Sequence, residues 1–297
     1  MSAKEKGAIM NYSSDPIWWR LKKTIVRDLA SLLTAPPPWI SSVEIPVSVL
    51  LGDEGFRFLL SLDEQPESLY LFLKKHGGYQ SRLGIYAERL LRYWFLHAPH
   101  SRLIAHNVQV QHNQQTLGAF DFIVQLNESI YHLELATKYY GSRSNQPENF
   151  TGLNPTDQLI NKIHKIQQQL RLSTEPAAKN ILKDLSLEHE QLQHASIIRG
   201  MLFMLEPQQQ LPAPLNSLSW QGNYVENWDE FKCSENSRFY VLDHLSFLSP
   251  ARISSNAIVT FNLIKQIRQG MVAVVEERAD GCWHEVQRIM KTNCKNN

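Results

Sequence analysis

Cysteine is scarce in this chain. Only Cys233, Cys282 and Cys294 occur in 297 residues, and no two form a CxxC pair. A sparse, odd set excludes a disulfide framework and offers no zinc-site spacing. It suits a reducing compartment, so the cytoplasm is the expected location. Long apolar runs are missing as well. A bilayer-spanning helix needs about 18 apolar residues or more, and Arg199 interrupts the most hydrophobic stretch, Ile197 to Leu205. Met1 to Ser14 is polar and lacks the apolar centre of a secretory signal. No charge of one sign dominates: the formal net charge is +1. A general nucleic-acid binder carries a basic excess, so any contact with a polyanion must come from a local patch. GxGxxG, P-loop and GxSxG motifs are absent, which argues against the common nucleotide-binding and α/β-hydrolase sites.

What is present suffices for a sizeable core: 43% of residues are hydrophobic and 20% charged. The length suits about two domains, or one core with appendages. No internal repeat is visible. The chain divides by pattern into a helical N-terminal region (1–80), an α/β core (81–205), and a linker with a C-terminal α+β region (206–297). Ile17, Leu21, Ile25, Leu29, Leu32 and Leu33 recur at helical spacing, and Pro36-Pro37-Pro38 ends that helix. Asp53–Leu62 and Glu67–Lys75 are predicted helices, the latter closed by Gly77-Gly78. Leu83–His97 is a further helix with two adjacent apolar stripes. Three strands follow at Leu103–Gln111, Leu117–Gln125 and Ile130–Tyr140, with turns at Gln114-Gln115 and Asn127-Glu128-Ser129. Asn154-Pro155-Thr156-Asp157 reads as a helix start, leading into Leu159–Leu170. A strand is predicted at Ala195–Met204. Residues 206–237 read as a proline- and glutamine-rich linker, Phe239–Leu248 as a strand, and Ser254–Gln269 as a helix. Met271–Glu276 and Cys282–Met290 read as a hairpin around Ala279-Asp280-Gly281.

Strand alternation decides which side chains can meet. In the third strand His132, Glu134, Ala136 and Lys138 share one face, whereas Leu133, Leu135 and Thr137 face a packed helix. In the second strand Ala119, Asp121 and Ile123 share a face. The tight turn makes the two strands neighbours, which puts Asp121 beside Glu134. Two adjacent carboxylates repel and raise a pKa unless something compensates, and a hard cation is the simplest compensation. Their oxygens are expected within about 6 Å of each other, close enough to share such a cation. Ala136 leaves room for a water, and Lys138 could orient that water or steady charge on a phosphate. The plainer alternative is a Glu134–Lys138 salt bridge on an exposed sheet face, with Glu88 paired to Arg92 along its helix.

The order helix, three strands, helix, strand, with GAFD on strand two and ELATK on strand three, resembles the PD-(D/E)XK nuclease superfamily. Residues 23–173 more narrowly resemble a bacterial family of uncharacterised function placed in that superfamily. The matching stretches are IVRDLASLLTAPP, RLGIYAERLLRYWF, LGAFDFIV, HLELATKYYG and TGLNPTDQLINKIHKIQQQL. SIIRGMLFM and FYVLDHLSFLSPARIS are weaker matches. The resemblance implies Mg²⁺ or Mn²⁺ held by Asp121 and Glu134, Lys138 as catalytic lysine, and Glu88 completing the site. It also implies that Gln158 and Lys162 contact phosphate or support the site. The sequence departs from the superfamily where its usual lysine, two residues after the acid, is Ala136; Lys138 lies two positions further on the same face.

The resulting expectation is a metal-dependent phosphodiesterase acting on DNA or RNA, with Lys138, Arg143, Lys162 and Lys165 bordering its acidic pocket. The alternatives are a non-catalytic nucleic-acid- or protein-binding module with a relic site, and a scaffold for a protein partner. Other candidates are weaker. His106 and His112 share a strand face without a third ligand. His97 and His100 sit at a helix end, where a cation suits the dipole. His284-Glu285 lacks the second histidine of a zinc-protease helix. Tyr139 and Tyr140 suit packing better than base stacking, and Trp18, Trp19, Trp94, Trp220 and Trp228 suit core or interface positions.

Overall fold

The computed structural model describes residues 12, 15, 17–78, 82–113, 115–188 and 191–293. Gln114, Cys294 and nearly all of the polar N-terminus lie outside the described residues. The N-terminal region forms α1 (Ile17–Arg20), α2 (Thr24–Thr34), α3 (Val47–Leu51), α4 (Gly55–Glu64) and α5 (Glu67–Lys75). Then come α6 (Leu83–His97), β1 (Ser101–His112), β2 (Gln115–Leu126) and β3 (Ser129–Gly141). They are followed by α7 (Leu159–Leu170), α8 (Pro176–Asp184) and β4 (Leu192–Met204). The C-terminal region contributes β5 (Gln221–Val225), β6 (Arg238–Leu242), β7 (Arg252–Ile253), α9 (Phe261–Ile264), β8 (Gly270–Glu277) and β9 (Trp283–Lys291). The protein is thus mixed α/β. No helix among the described residues is long and apolar enough to cross a membrane.

All nine described strands belong to one mixed sheet, ordered β1-β2-β3-β4-β5-β9-β8-β6, with β7 on β9. β1, β2 and β3 are antiparallel, whereas β3, β4, β5 and β9 run parallel. The C-terminal strands therefore extend the sheet of the 81–205 core. The main apolar cluster also draws on all three regions, from Tyr12 through α2 and α6 to Met290.

β4 is covered on both faces, which is why ASIIRGMLFM reads as a near-continuous apolar run. Its one charge, Arg199, is buried against Glu44 and donates to the Leu32 carbonyl. Gly200 has φ 147°, and a Cβ there would fall 1.6 Å from the Lys138 carbonyl oxygen. Only glycine lets β4 approach the site strand β3 this closely.

Alternation sorts β3 as expected. Leu133, Leu135 and Tyr139 pack with α2 and α6 on one face. Ala136 and Tyr140 pack with Leu159 and Ile166 of α7 on the other. α6 buries Tyr86, Ala87, Leu90, Leu91, Trp94 and Phe95. It ends before Pro99, with Ala98 extended at ψ 138° because a residue preceding proline avoids helix.

Several expectations need correction. The helix read over Ser254–Gln269 is only a turn and the four-residue α9, because Val259 bridges to Phe239 of β6. The strand read over Phe239–Leu248 stops at Leu242, and Asp243 caps a short 3-10 turn. The 206–237 linker contains β5, which fills the slot between β4 and β9. α7 starts at Leu159 and not within Asn154–Asp157, which forms a turn held by the Asn154 side chain on the Thr156 N–H.

A buried polar hub ties the termini of the fold together. Glu285 accepts two bonds from Arg288, one from Nε at 2.7 Å and one from Nη2 at 2.8 Å. It also accepts from the Tyr12 hydroxyl and the Ala251 N–H. Arg288 donates in turn to the carbonyls of Phe247 and Ser249, and Arg27 to that of Pro250. Asp28 accepts from Tyr86 Oη at 2.9 Å and Ser249 Oγ at 2.6 Å. The segment 247–250 is thereby buried with its backbone carbonyls satisfied by side chains, as a loop inside a protein must be.

Candidate functional site

β2 and β3 pair from Leu126↔Ser129 only as far as Phe122↔Leu133. Beyond that point they part, while β3 stays paired with β4 to Gly141. Asp121 stands at this fork. Its Oδ2 accepts from the Leu135 N–H at 2.9 Å, taking the place of the missing ladder partner. Glu134 lies directly across and is almost wholly buried, at 1% exposure. The charge of Glu134 acts on Asp121, so the two acids are brought side by side.

Both carboxyls are pushed up to about 7. For Asp121 the main cause is burial, followed by the charge of Glu134. For Glu134 it is burial again, partly offset by hydrogen bonds from Asp121. Neither acid has a lysine or arginine ion pair among the described residues. Glu134 Oε1 meets His132 Nε2 at 2.9 Å, and its Oε2 accepts from Gln169 Nε2 at 2.7 Å. Burial pulls His132 down to about 4, so this partner is neutral near pH 7.

The fork opens into a cleft of about 400 Å³ between the start of α6, β3 and α7. Glu88, Asp121, Lys138, Lys162 and Lys165 line it, together with Arg82 and Gln169. Glu88 is held by His106, Nε2 to Oε1 2.7 Å, and not by Arg92. Lys138 pairs with Asp157 at 2.5 Å, and Tyr140 donates to the other oxygen of that carboxylate. A Glu134–Lys138 salt bridge is therefore not what forms. Lys162 is the cation whose field reaches both acids; burial and the charges of Lys138 and Lys165 lower its pKa.

Two expected residues lie elsewhere. Gln158 precedes α7 and accepts from Asn161. Arg143 pairs with Glu226 and Glu230. Of the weaker candidates, His106 meets Glu88 at the cleft, and others are buried. Tyr139 and Tyr140 are buried, and Glu285 belongs to the hub. Trp18, Trp94, Trp220 and Trp228 are buried, whereas Trp19 is half exposed beneath Arg278.

Lys165 lines the cleft as expected, whereas sequence reasoning passed over Gln169, Arg82 and Asp157. A signal for Gln169 was present: Lys162, Lys165 and Gln169 fall at i, i+3 and i+7, one polar stripe on an otherwise apolar-faced helix.

No three His, Cys, Asp or Glu side chains among the described residues converge as a metal-holding group. Two carboxylates without a cationic partner still fit a hard cation. Mg²⁺ is commonly bound by one or two protein carboxylates, with water and substrate phosphate completing its shell.

The sequence matches the family described as a domain of unknown function (DUF1853) over residues 27–291. The chain belongs to this family. No curated protein and no solved structure matches it. The matched span begins at Arg27 and ends in β9, so it contains the whole sheet and the cleft, and all of the hub but Tyr12.

Proposed function

We propose that this family member is a PD-(D/E)XK-like phosphodiesterase that cleaves DNA or RNA with Mg²⁺ or Mn²⁺. The observation that carries the reading is the Asp121–Glu134 pair, buried side by side with no lysine or arginine ion pair among the described residues, with Asp121 lining a cleft rimmed by lysines. Burying uncompensated like charges is costly, and a cation removes the cost. Asp121 and Glu134 would hold the metal, with Glu88 at the cleft wall assisting. When bound, the metal supplies an acidified water and neutralises charge on the scissile phosphate. Lys162 faces the acids and steadies the charge that develops on phosphate. Lys138 and Lys165, with Arg82, form a basic rim that draws a polyanion to a protein of net charge +1. The resemblance carries with it a bacterial source and a cytoplasmic location. Cys233 and Cys282 are free thiols, as that compartment allows.

A second reading is a nucleic-acid- or protein-binding module with a relic site. Its support is the Lys138–Asp157 ion pair, which holds the expected catalytic lysine away from the acids. Incubation of labelled single- and double-stranded DNA and RNA, with Mn²⁺ or with chelator, separates the two. The enzyme reading expects metal-dependent cleavage that Asp121→Asn abolishes and that weakens steeply with salt. Salt-sensitive binding without cleavage in any metal would favour the relic. No binding at low salt would remove nucleic acid from both readings.

A further inference from the structure

Glu134 is held in an unusual manner. His132 Nε2 meets one oxygen at 2.9 Å, and Gln169 Nε2 donates to the other at 2.7 Å. The partners come from different elements, β3 and α7. His132 is wholly buried, with its ring edge-on to Phe120 at 4.7 Å. With Nε2 as donor, the opposite ring nitrogen Nδ1 is left buried without a partner, and so is Oε1 of Gln169. Leaving each such atom buried and unpaired costs stability. A fold seeking stability alone would place apolar side chains here, or pair Glu134 with arginine as Glu285 is paired. An imidazole and an amide do something else. They fix the direction of both carboxylate oxygens and leave the negative charge available.

We propose that His132 and Gln169 are positioning residues that clamp Glu134, one on each oxygen, so that the Asp121–Glu134 pair presents a preformed seat for a divalent cation. The proposal rests on the metal-site reading above. It assigns work to two residues that touch neither substrate nor metal. Groups of this kind orient carboxylate and histidine ligands in metalloproteins, and their loss lowers metal affinity about 10–100-fold.

The test is Mn²⁺ affinity by isothermal titration on the full-length protein, with thermal melting alongside. His132→Leu and Gln169→Met remove the donors at similar size and should weaken Mn²⁺ binding about tenfold or more, with no fall in melting temperature. His132→Gln restores an N–H at similar reach and should return the affinity to within about threefold of wild type, by the same donor argument. Wild-type affinity in both His132→Leu and Gln169→Met would overturn the clamp while leaving the metal site intact. So would a His132→Gln variant as weak as His132→Leu, since the donor would not be what matters. A wild-type protein that binds no Mn²⁺ overturns the site itself and the clamp with it, a failure visible before any variant is made. Should His132→Leu fail to fold, Gln169→Met, on a partly exposed helix face, still decides.

Discussion

Two of the places where the protein buries carboxylates are treated in opposite ways. In the hub Glu285 is fully spoken for, with a guanidinium, a tyrosine hydroxyl and a backbone N–H filling its oxygens. Burial works against the Arg288 charge, but Glu285 beside it outweighs this and raises its pKa. At the β2–β3 fork Asp121 and Glu134 face each other, with no lysine or arginine pair to either among the described residues. One arrangement is closed by its own side chains. The other borders a cleft through Asp121. Stability explains the first; the second costs stability.

The largest effect that would sharpen this contrast is in the hub. Arg288→Met leaves Glu285 buried without its counter-charge and orphans the Phe247 and Ser249 carbonyls. A loss of about 3–5 kcal/mol is expected in urea unfolding, the usual cost of breaking a buried pair from one side. A loss under about 1 kcal/mol, the worth of an exposed pair, would mean the hub is not closed in solution and the comparison fails.

The cleft should respond with the opposite sign. In the folded state burial and the charge of Glu134 push the Asp121 carboxyl up to about 7, well above the ordinary carboxylate range. A raised pKa means the folded state holds its proton longer, so this group's contribution to stability is full below about pH 4 and is lost as pH rises through about 7. Asp121→Asn removes the titration while keeping an acceptor for Leu135. Without metal, the variant should be more stable than wild type by about 1–3 kcal/mol at pH 8. The advantage should shrink as pH falls toward 4. Melting curves across that range check it; a variant less stable than wild type at pH 8 would show that the pair is compensated from within.

A smaller effect tests the hub again. Tyr86→Phe removes one of the two hydroxyls that serve Asp28, whose carboxyl burial pushes up to about 6. The expected cost is about 1–2 kcal/mol at pH 8, as for a hydrogen bond to a charged group. It should diminish below pH 6, where Asp28 is protonated in the folded state. A cost that does not change with pH would place the effect in packing.

Much of this was legible from residues alone, where periodicity was strong and punctuation clear. Glu67–Lys75 and Leu83–His97 occur with those bounds, between a Gly-Gly stop and a proline. The β2–β3 turn and the period of two were enough to bring Asp121 and Glu134 together. β5 was not legible. QGNYV has no alternation, and it becomes a strand because β4 and β9 leave unpaired backbone on either side. α9 was overread because apolar spacing between Ser254 and Gln269 fits a helix, whereas the hydrogen bonds of Val259 to Phe239 hold the chain extended.

The sequence by itself determined the element order, the faces of the strands and the identity of the acid pair. These follow from local steric rules that act within a few residues. The tertiary structure alone decided which cation meets those acids. Lys138 shares their strand face, yet Asp157 of the following loop captures it, and α7 docks so that Lys162 takes the facing position and Gln169 reaches Glu134. A long, flexible side chain can go to any opposite charge within its reach. Which one it finds depends on how a helix many residues away is packed against the sheet.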